Sequence, residues 1–271
     1  LREINAQKFK EYAINRKASH TPCREVTLID SSPWPECTIP PPLSPGTVHL
    51  WAIAVDSDQD TGIGTALLSE GEQQRAVRFQ KEGDRKRYTV ARYTLRVLLG
   101  HYLEQDAKSI KMVRSDAGKL HLADNPGAID FSITHTGLCI VLAFGRELQV
   151  GVDIERCDRT GRFEALAKRF FHPYERDSIA ALPETEQGVA FLSCWNAKEA
   201  VLKGLGTGIQ SRLDAFTVTI PLTNTPSPVH FQSDTPTASW SVCAFTPMTN
   251  YIGALAVDRQ DYSVDTFFYQ T

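Results

Sequence analysis

The stretch VGVDIE, from Val150 to Glu155, opens the second half of the chain and shows most directly how it folds. Successive side chains of a β-strand point to opposite faces, so the apolar residues share one face while Gly151, Asp153 and Glu155 share the other. The two carboxylates then lie roughly 6.5–7 Å apart along the strand, close enough to converge on one hard cation. On this segment alone, it is equally reasonable to interpret the two residues as solvated carboxylates at the end of a strand.

A second stretch, WNAKEAVLKGLG from Trp195 to Gly206, has the pattern of a helix with Glu199 and Lys203 one turn apart. An i, i+4 pair in this order usually lies on a solvent-exposed helix surface, where it stabilises the helix by roughly 0.2–0.5 kcal/mol. Glu199, however, shares a helical stripe with apolar residues, so its carboxylate borders an apolar face and needs a partner. A cation shared with the acids of the strand would be such a partner, and Lys203 would then bind a phosphate oxygen as a point charge. The glycines after the helix are interpreted as its C-terminal cap.

Two further stretches carry weaker signals. In DFSITHTGLCIVLAFG, His135 lies between Thr134 and Thr136 at a turn between two apolar strands. This pattern is typical of a solvated turn, or of a hydroxyl and an imidazole that donate to an anion. In RFQKEGDRKRYTVARYTLR, from Arg78 to Arg96, basic residues cluster on a predicted helix. Such charges usually form a solvated face, and a subset of them beside a cleft would suit a polyphosphate.

The order of predicted elements repeats about halfway along the chain, which predicts an α+β fold of two similar subdomains with pseudo-two-fold symmetry. In the first half we predict helices over 69–82 and 84–105 and strands over 48–55, 110–114, 119–122, 130–134 and 138–144. In the second half we predict helices over 163–181 and 187–204, a loop over 221–237, and strands over 148–155, 214–220, 238–245 and 251–257. The predicted domains are a proline-rich extension (1–46), an N-terminal α/β subdomain (47–147) and a C-terminal α/β subdomain with the acidic motifs (148–271). A short helix is predicted near 6–16, within the extension. A ligand cleft is expected between the two lobes.

The composition argues against several classes of function. The 271 residues carry a formal net charge of −3, which gives no overall electrostatic footprint for nucleic acid. No apolar run reaches the roughly 18 residues that indicate a membrane-spanning helix. The six cysteines lack CxxC spacing, which favours reduced thiols over a disulfide framework or a zinc site. We therefore expect a cytoplasmic protein that binds neither nucleic acid nor membrane.

Taken together, the four stretches resemble the surfactin-synthetase-activating type of 4′-phosphopantetheinyl transferases. That family has a G-[VI]-D-x-E strand followed by a W-x-x-K-E-[AS]-x-x-K helix. This chain has GVDIE and WNAKEAVLK, with Asp153 and Glu199 separated by 46 positions. The upstream segments FSITHT and GKL match two further family motifs more loosely. The resemblance covers about 48–258 and implies the fold of that family.

The resemblance also implies roles for individual residues. It implies a Mg²⁺ site, with Mn²⁺ as an alternative metal, formed by Asp153, Glu155 and Glu199. It implies that coenzyme A, the co-substrate, is bound by Arg87, Lys119, Thr134, His135, Asp153 and Lys203, with Arg75 as a further candidate. Catalysis would rest on Glu199 as general base, on Lys203 at the leaving group and on Asp153 at the metal.

The implied reaction moves 4′-phosphopantetheine from coenzyme A to a serine of an apo acyl carrier protein, or of a peptidyl or polyketide carrier domain, and releases 3′,5′-ADP. We expect the carrier to dock near residues 160–190, and we expect a monomer because the symmetry of a dimer is already internal. Two other functions would use the same residues. One is a Mg²⁺-dependent hydrolase of a nucleotide pyrophosphate, and the other is a non-catalytic protein that binds coenzyme A or a carrier. The complete set of acids and lysine favours an enzyme over a pure binding protein.

Overall fold

The computed structural model of the chain describes residues 34–55, 65–125, 127–158, 163–207, 213–220, 227–231 and 239–270. Its α-helices are α1 (Glu70–Ala76), α2 (Glu82–Leu103), α3 (Phe163–Phe170), α4 (Pro173–Ala180) and α5 (Glu184–Leu205). Its strands are β1 (Thr47–Ala54), β2 (Met112–Arg114), β3 (Leu120–Leu122), β4 (Ile129–Thr136), β5 (Cys139–Arg146), β6 (Val150–Arg156), β7 (Phe216–Val218), β8 (Ser227–Phe231), β9 (Ser241–Phe245), β10 (Tyr251–Val257) and β11 (Ser263–Tyr269). The helix predicted near 6–16 lies outside the described residues. Across the described ranges, no helix has the length and apolar character needed to cross a membrane.

Both halves of the chain build a sheet in the same way. The strand order is β11-β1-β5-β4 in the first sheet and β6-β10-β9-β8-β7 in the second. The opening strand of each half, β1 or β6, pairs antiparallel with the second strand of a later hairpin, β5 or β10. The first strand of that hairpin, β4 or β9, lies on its far side. The predicted α+β fold with two similar halves is therefore confirmed, and the repeat extends to the pairing of the strands.

The two sheets pack face to face, and each carries a long helix on its outer face. Apolar residues of β1, β5, β6, β9 and β10 fill the layer between the sheets. Leu95 and Leu99 of α2 pack outside the first sheet, and Ala197 and Val201 of α5 pack outside the second. Strands covered on both faces need apolar residues at nearly every position, which is why β1 and β5 read as almost continuous apolar runs.

Four elements differ from their prediction. The sequence predicts a helix over 69–82, but α1 ends at Ala76 with Val77 as its C-cap. The sequence predicts one helix over 163–181, but the structure has α3 and α4, because Pro173 lacks an N–H and His172 Nδ1 accepts from Tyr174 N (3.2 Å) to cap a new helix. Strand β8 lies inside the predicted loop 221–237. Strand β11, which the sequence does not predict, pairs parallel with β1. The end of the chain therefore returns to the first sheet.

The segment 34–46 packs against the first lobe, although the sequence predicts that it belongs to an extension. Trp34 and Leu43 are buried. Cys37 N donates to Phe268 O (2.9 Å), and Phe268 N donates to Pro35 O (2.8 Å). These hydrogen bonds cover the outer edge of β11. The packed fold therefore includes residues 34–46.

Candidate active site

Strand β6 and helix α5 approach each other at backbone distance because glycine lies at the crossing. A Cβ on Gly151 would lie 1.9 Å from Ala200 O and 2.4 Å from Gly204 N, so no other residue fits there without movement of the helix. The valine and isoleucine side chains of β6 point the other way, into the layer between the sheets. This contact holds Glu199 and Lys203 of α5 beside the face of β6 that carries the acids.

Asp153 is the centre of this contact. Its Oδ1 accepts hydrogen bonds from Lys203 Nζ (2.7 Å) and from Thr134 Oγ1 (2.9 Å). Lys203 Nζ also donates to Val152 O (3.2 Å). The Asp153 side chain is 11% exposed and that of Lys203 is 31% exposed, so the pair lies at the bottom of an open site. The i, i+4 arrangement of Glu199 and Lys203 is thus not a simple surface pair, because the lysine bonds to the strand.

Three carboxylates share the site. Burial raises the pKa of Glu199 above its ordinary value, the negative charges of Asp153 and Glu155 raise it further, and Lys203 opposes them. The Glu155 carboxylate accepts from Thr136 Oγ1 (3.4 Å). Glu199 therefore lies within electrostatic range of both acids of the strand, as the sequence predicts.

The donor set fits a hard divalent cation. Within the described ranges, no three His, Cys, Asp or Glu side chains already form a metal cage. Oxygen ligands are nevertheless what Mg²⁺ prefers, and three carboxylates against one lysine leave excess negative charge that raises the pKa of Glu199. A cation would relieve that repulsion. Asp153, Glu155 and Glu199 are therefore a chemically suitable set, and their role as metal ligands stays a prediction.

Polar side chains of β4 join the two sheets next to this cluster. Four residues of β4 at alternate positions bond to β6: Asp130, Ser132, Thr134 and Thr136. Asp130 Oδ2 accepts from Val150 N (2.9 Å) and Ser132 Oγ accepts from Val152 N (3.1 Å). The neighbours Thr134 and His135 face opposite sides of the strand, and Thr134 donates to Asp153. Their joint role in binding an anion stays a prediction.

Lys119 bridges the lobes. Its Nζ donates to Asp130 Oδ2 (2.7 Å) and to Gly204 O (2.9 Å). Gly206, the left-handed C-cap of α5 (φ 67°), leaves space for the lysine stem, because a Cβ there would lie 3.1 Å from Lys119 Cδ. The structure thus brings Lys119 to the site, where it fastens the end of α5 to the first lobe.

His135 lies on the other side of β4, close to Arg87. The pKa of His135 lies below its ordinary value because protein atoms around the ring reduce its solvation and because Arg87 and Lys203 add positive charge nearby, although part of the side chain is exposed. Arg87 Nη1 donates to Gly137 O (2.9 Å), and its Nη2 pairs with Asp84. His135 therefore lies within electrostatic range of both Arg87 and Lys203.

Two adjoining cavities lie near the site, and Lys203 lines the smaller one. The larger, about 600 Å³, lies between α1, α2 and the β2–β3 hairpin, and five arginines line it: Arg75, Arg78, Arg92, Arg96 and Arg114. The smaller, about 220 Å³, is lined by Lys119, Ser132 and Lys203, and it shares Arg92, Arg114 and Leu120 with the larger one. Sequence reasoning named Arg75 only as a further candidate and did not select Arg92 or Arg114. The basic stretch of α2 was the available signal, but it did not indicate which arginines face inward.

A buried ion pair behind α5 was also missed. Lys198 Nζ lies 2.9 Å from Glu175 Oε1, and both side chains are fully buried. Lys198 Nζ also donates to Leu213 O (2.7 Å) and Phe216 O (2.7 Å). The pair ties α4 and the segment before β7 to α5, next to Glu199. Residues 23 positions apart give no pattern from which this pairing could be read.

Comparison with known proteins assigns the family. A family model described as the 4′-phosphopantetheinyl transferase superfamily matches residues 149–256, and one described as the N-terminal part of 4′-phosphopantetheinyl transferase matches residues 56–146. The chain is 34% identical to the 4′-phosphopantetheinyl transferase HetI of Nostoc sp., over 78% of this chain and 87% of that protein. It is 29% identical to the 4′-phosphopantetheinyl transferase of Bacillus subtilis, over 56% of this chain and 66% of that protein. It is also 31% identical to the human L-aminoadipate-semialdehyde dehydrogenase-phosphopantetheinyl transferase, over 59% of this chain and 52% of that protein.

The matched regions contain the structural features described above. The superfamily match spans β6, α5 and β10, with Asp153, Glu155, Glu199 and Lys203, and the N-terminal match spans α2 and the β4–β5 hairpin. The similarity to the Nostoc protein extends over most of both chains. The chain therefore belongs to the 4′-phosphopantetheinyl transferase superfamily and is a phosphopantetheinyl transferase.

Proposed function

We propose that this protein transfers the 4′-phosphopantetheine group of coenzyme A to a serine hydroxyl of an apo acyl carrier protein or carrier domain, with Mg²⁺ as the metal and 3′,5′-ADP as the released product. One arrangement carries the proposal: three carboxylates and Lys203 lie together where an arginine-lined cavity system ends. The family resemblance supplies the donor and acceptor classes.

The joined cavities suit a long polyanionic donor. Five arginines and one glutamate line the larger cavity, which leaves a large excess of positive charge. Lys119 and Lys203 line the smaller cavity. Coenzyme A carries a phosphorylated nucleotide at one end and a pyrophosphate next to the reacting centre, so its charges match both cavities in order. The nucleotide would occupy the larger cavity, and the pyrophosphate would lie beside Lys203.

Asp153, Glu155 and Glu199 would hold the Mg²⁺, and Mn²⁺ would be accepted because it prefers the same oxygen ligands. When bound, the metal supplies positive charge to the pyrophosphate of the donor. The protein's own part is to keep the three carboxylates together against their mutual repulsion. The Thr134 hydroxyl on Asp153 and the contact of Gly151 with α5 perform that task.

Glu199 is the proposed general base for the serine hydroxyl. Burial and the neighbouring acids raise its pKa, and a base whose pKa lies nearer to the operating pH takes a proton more effectively. Lys203 would stabilise the leaving phosphate of 3′,5′-ADP by hydrogen bonding. Positioning and charge stabilisation contribute most of the rate enhancement in phosphoryl transfer, so no covalent intermediate on the enzyme is needed.

The acceptor would approach along α3 and α4. Tyr174 is 50% exposed, and the exposed Lys168 and Arg169 lie on the preceding helix, with Arg169 over the Phe170 ring. An exposed aromatic residue with Lys168 and Arg169 on the preceding helix suits an acidic carrier protein. This face is the described part of the docking region predicted over 160–190.

The test is intact-mass spectrometry of an apo carrier protein incubated with this protein, coenzyme A and Mg²⁺. We expect one phosphopantetheine adduct, which EDTA abolishes and added Mg²⁺ restores. Asp153→Ala and Glu199→Gln should abolish the adduct while circular dichroism shows an intact fold. Wild-type turnover by either variant would refute the assignment of the carboxylate cluster.

A further inference from the structure

Arg92 lies at the point where the two cavities join. It is on α2, it is 6% exposed, and it lines both the larger and the smaller cavity. Its guanidinium lies 5.3 Å from the centre of the Tyr88 ring, and that of Arg75 lies 5.8 Å from the same ring. Arg92 therefore forms part of the wall between the arginine-rich cavity and the one that reaches Lys203.

Most of the hydrogen-bonding capacity of Arg92 is unused. Within the described part of the chain, its Nε and Nη1 atoms are buried with no hydrogen-bond partner. Burial lowers its pKa, and only Tyr88 and the charge of Glu72 oppose that effect appreciably. An unpaired buried donor on a charged group is strongly unfavourable. Folding alone gives no reason for such a side chain at this position.

Arg96, one turn further along α2, shows how an arginine is satisfied in the same environment. Its Nε bonds to Glu72 Oε2 (2.7 Å), and its Nη1 donates to Ala107 O (3.1 Å) and Ile110 O (3.0 Å). Arg96 therefore fastens α1 and the segment after α2 to the helix. Since Glu72 is paired with Arg96, no carboxylate on the described cavity wall bonds directly to Arg92.

We infer that Arg92 is an anion-binding residue, and that its guanidinium, through a donor with no partner among the described residues, binds a phosphate group of the nucleotide half of the donor as it crosses from one cavity to the other. The Nε–H and Nη1–H groups of a guanidinium diverge, so the contact is one charge-assisted hydrogen bond from either of them, and the guanidinium lies 5.3 Å from the centre of the Tyr88 ring. This inference rests on the proposed function, because it takes a phosphorylated nucleotide as the occupant of the cavities.

Substitutions of Arg92 should affect nucleotide binding and the stability of the ligand-free protein differently. Replacing Arg92 with glutamine or methionine removes a buried, poorly paired charge, so the ligand-free protein should be as stable as the wild type or more stable. The same change removes a charge-assisted contact and should weaken nucleotide binding at least about tenfold. Arg92→Lys keeps the charge but replaces the planar guanidinium with a more strongly hydrated ammonium on a flexible stem, so it should retain only part of the affinity.

The experiment measures adenosine 3′,5′-bisphosphate binding by isothermal titration calorimetry, without metal, together with thermal unfolding of the ligand-free protein. The variants are Arg92→Gln, Arg92→Met and Arg92→Lys. Arg85→Gln is the matched control, because Arg85 is on the same helix but is exposed and does not line either cavity. The expected result is weaker binding with an unchanged or higher Tm in the two neutral variants, and no change in the control.

Two results would overturn the assignment. One is binding by both neutral variants within about twofold of the wild type, which is well below the loss of a charged hydrogen bond. The other is loss of affinity together with a lower Tm of the free protein, which would make Arg92 structural like Arg96. A wild-type protein that binds the bisphosphate tightly but modifies no carrier would leave Arg92 assigned and would refute the proposed transfer instead.

Discussion

The buried pair of Lys198 and Glu175 allows a quantitative test of how α5 is held. Lys198→Met leaves the Glu175 carboxylate charged in a fully buried position and removes the donor from Leu213 O and Phe216 O. Breaking one member of a buried ion pair typically lowers the free energy of unfolding by about 3–5 kcal/mol. For a protein of this size we therefore expect the Tm to fall by about 10 °C.

The double variant Lys198→Met/Glu175→Gln sharpens this prediction. Glu175 also accepts from Val218 N (2.9 Å) and His172 N (2.9 Å). The double variant therefore removes the donor from Leu213 O and Phe216 O, and it offers Val218 N and His172 N a neutral amide oxygen in place of a carboxylate. The double variant should therefore remain less stable than the wild type. It should nevertheless lose less than the sum of the single variants, with a coupling energy of about 2 kcal/mol.

Urea denaturation followed by tryptophan fluorescence measures these free energies. Lys168→Met is the matched control, because Lys168 is exposed on α3, and a surface change of this kind should alter stability by less than about 0.5 kcal/mol. The reasoning would be refuted by a loss of less than about 1 kcal/mol in Lys198→Met, or by additive single and double variants.

Three further predictions concern other contacts. Gly151→Ala places a Cβ 1.9 Å from Ala200 O, so it should force α5 away from β6, abolish transfer in the carrier-modification assay and lower the Tm. Lys119→Met breaks the bonds to Asp130 Oδ2 and Gly204 O and leaves Asp130 buried without its cation, so urea titration should show a loss of about 1–3 kcal/mol. Burial lowers the pKa of His49 to about 4 from 6.5. The folded state therefore favours the neutral ring, and its stability should be full above pH 6.5 and fall by about 2 kcal/mol between pH 7 and pH 4.5. That fall should be shallower in His49→Gln.

The sequence predicts those parts of the fold whose signal is local. The apolar runs of β1, β5, β6 and β10 and the long helices α2 and α5 are evident from periodicity, and their repeated order predicts two similar lobes. Strand β11 has no comparable signal, because its burial comes from parallel pairing with β1, at the other end of the chain. Strand β8 lies among polar and proline residues, and only its pairing with β7 and β9 makes it a strand.

The site was predictable to the extent that chemistry and spacing specify it. Asp153, Glu155, Glu199 and Lys203 are in two motifs, and the structure brings them together. The sequence and the family resemblance pair Thr134 with His135 at an anion, and the structure adds that Thr134 donates to Asp153. Partners distant in the sequence were not predictable at all: the residues that bond to Lys198, and the Arg92 donors that find no partner within the described ranges, depend on how the elements pack.

The central claim is transfer of phosphopantetheine to a carrier rather than to water, and the most direct measurement is the amount of 3′,5′-ADP released with and without an apo carrier. The protein is incubated with coenzyme A and Mg²⁺, and the bisphosphate is quantified by chromatography while the carrier is weighed by intact-mass spectrometry. The account predicts one bisphosphate for each carrier modified, and no release when the carrier is absent or its acceptor serine is replaced by alanine. Release of the bisphosphate without a carrier, at the rate seen with one, would contradict it and identify the protein as a hydrolase.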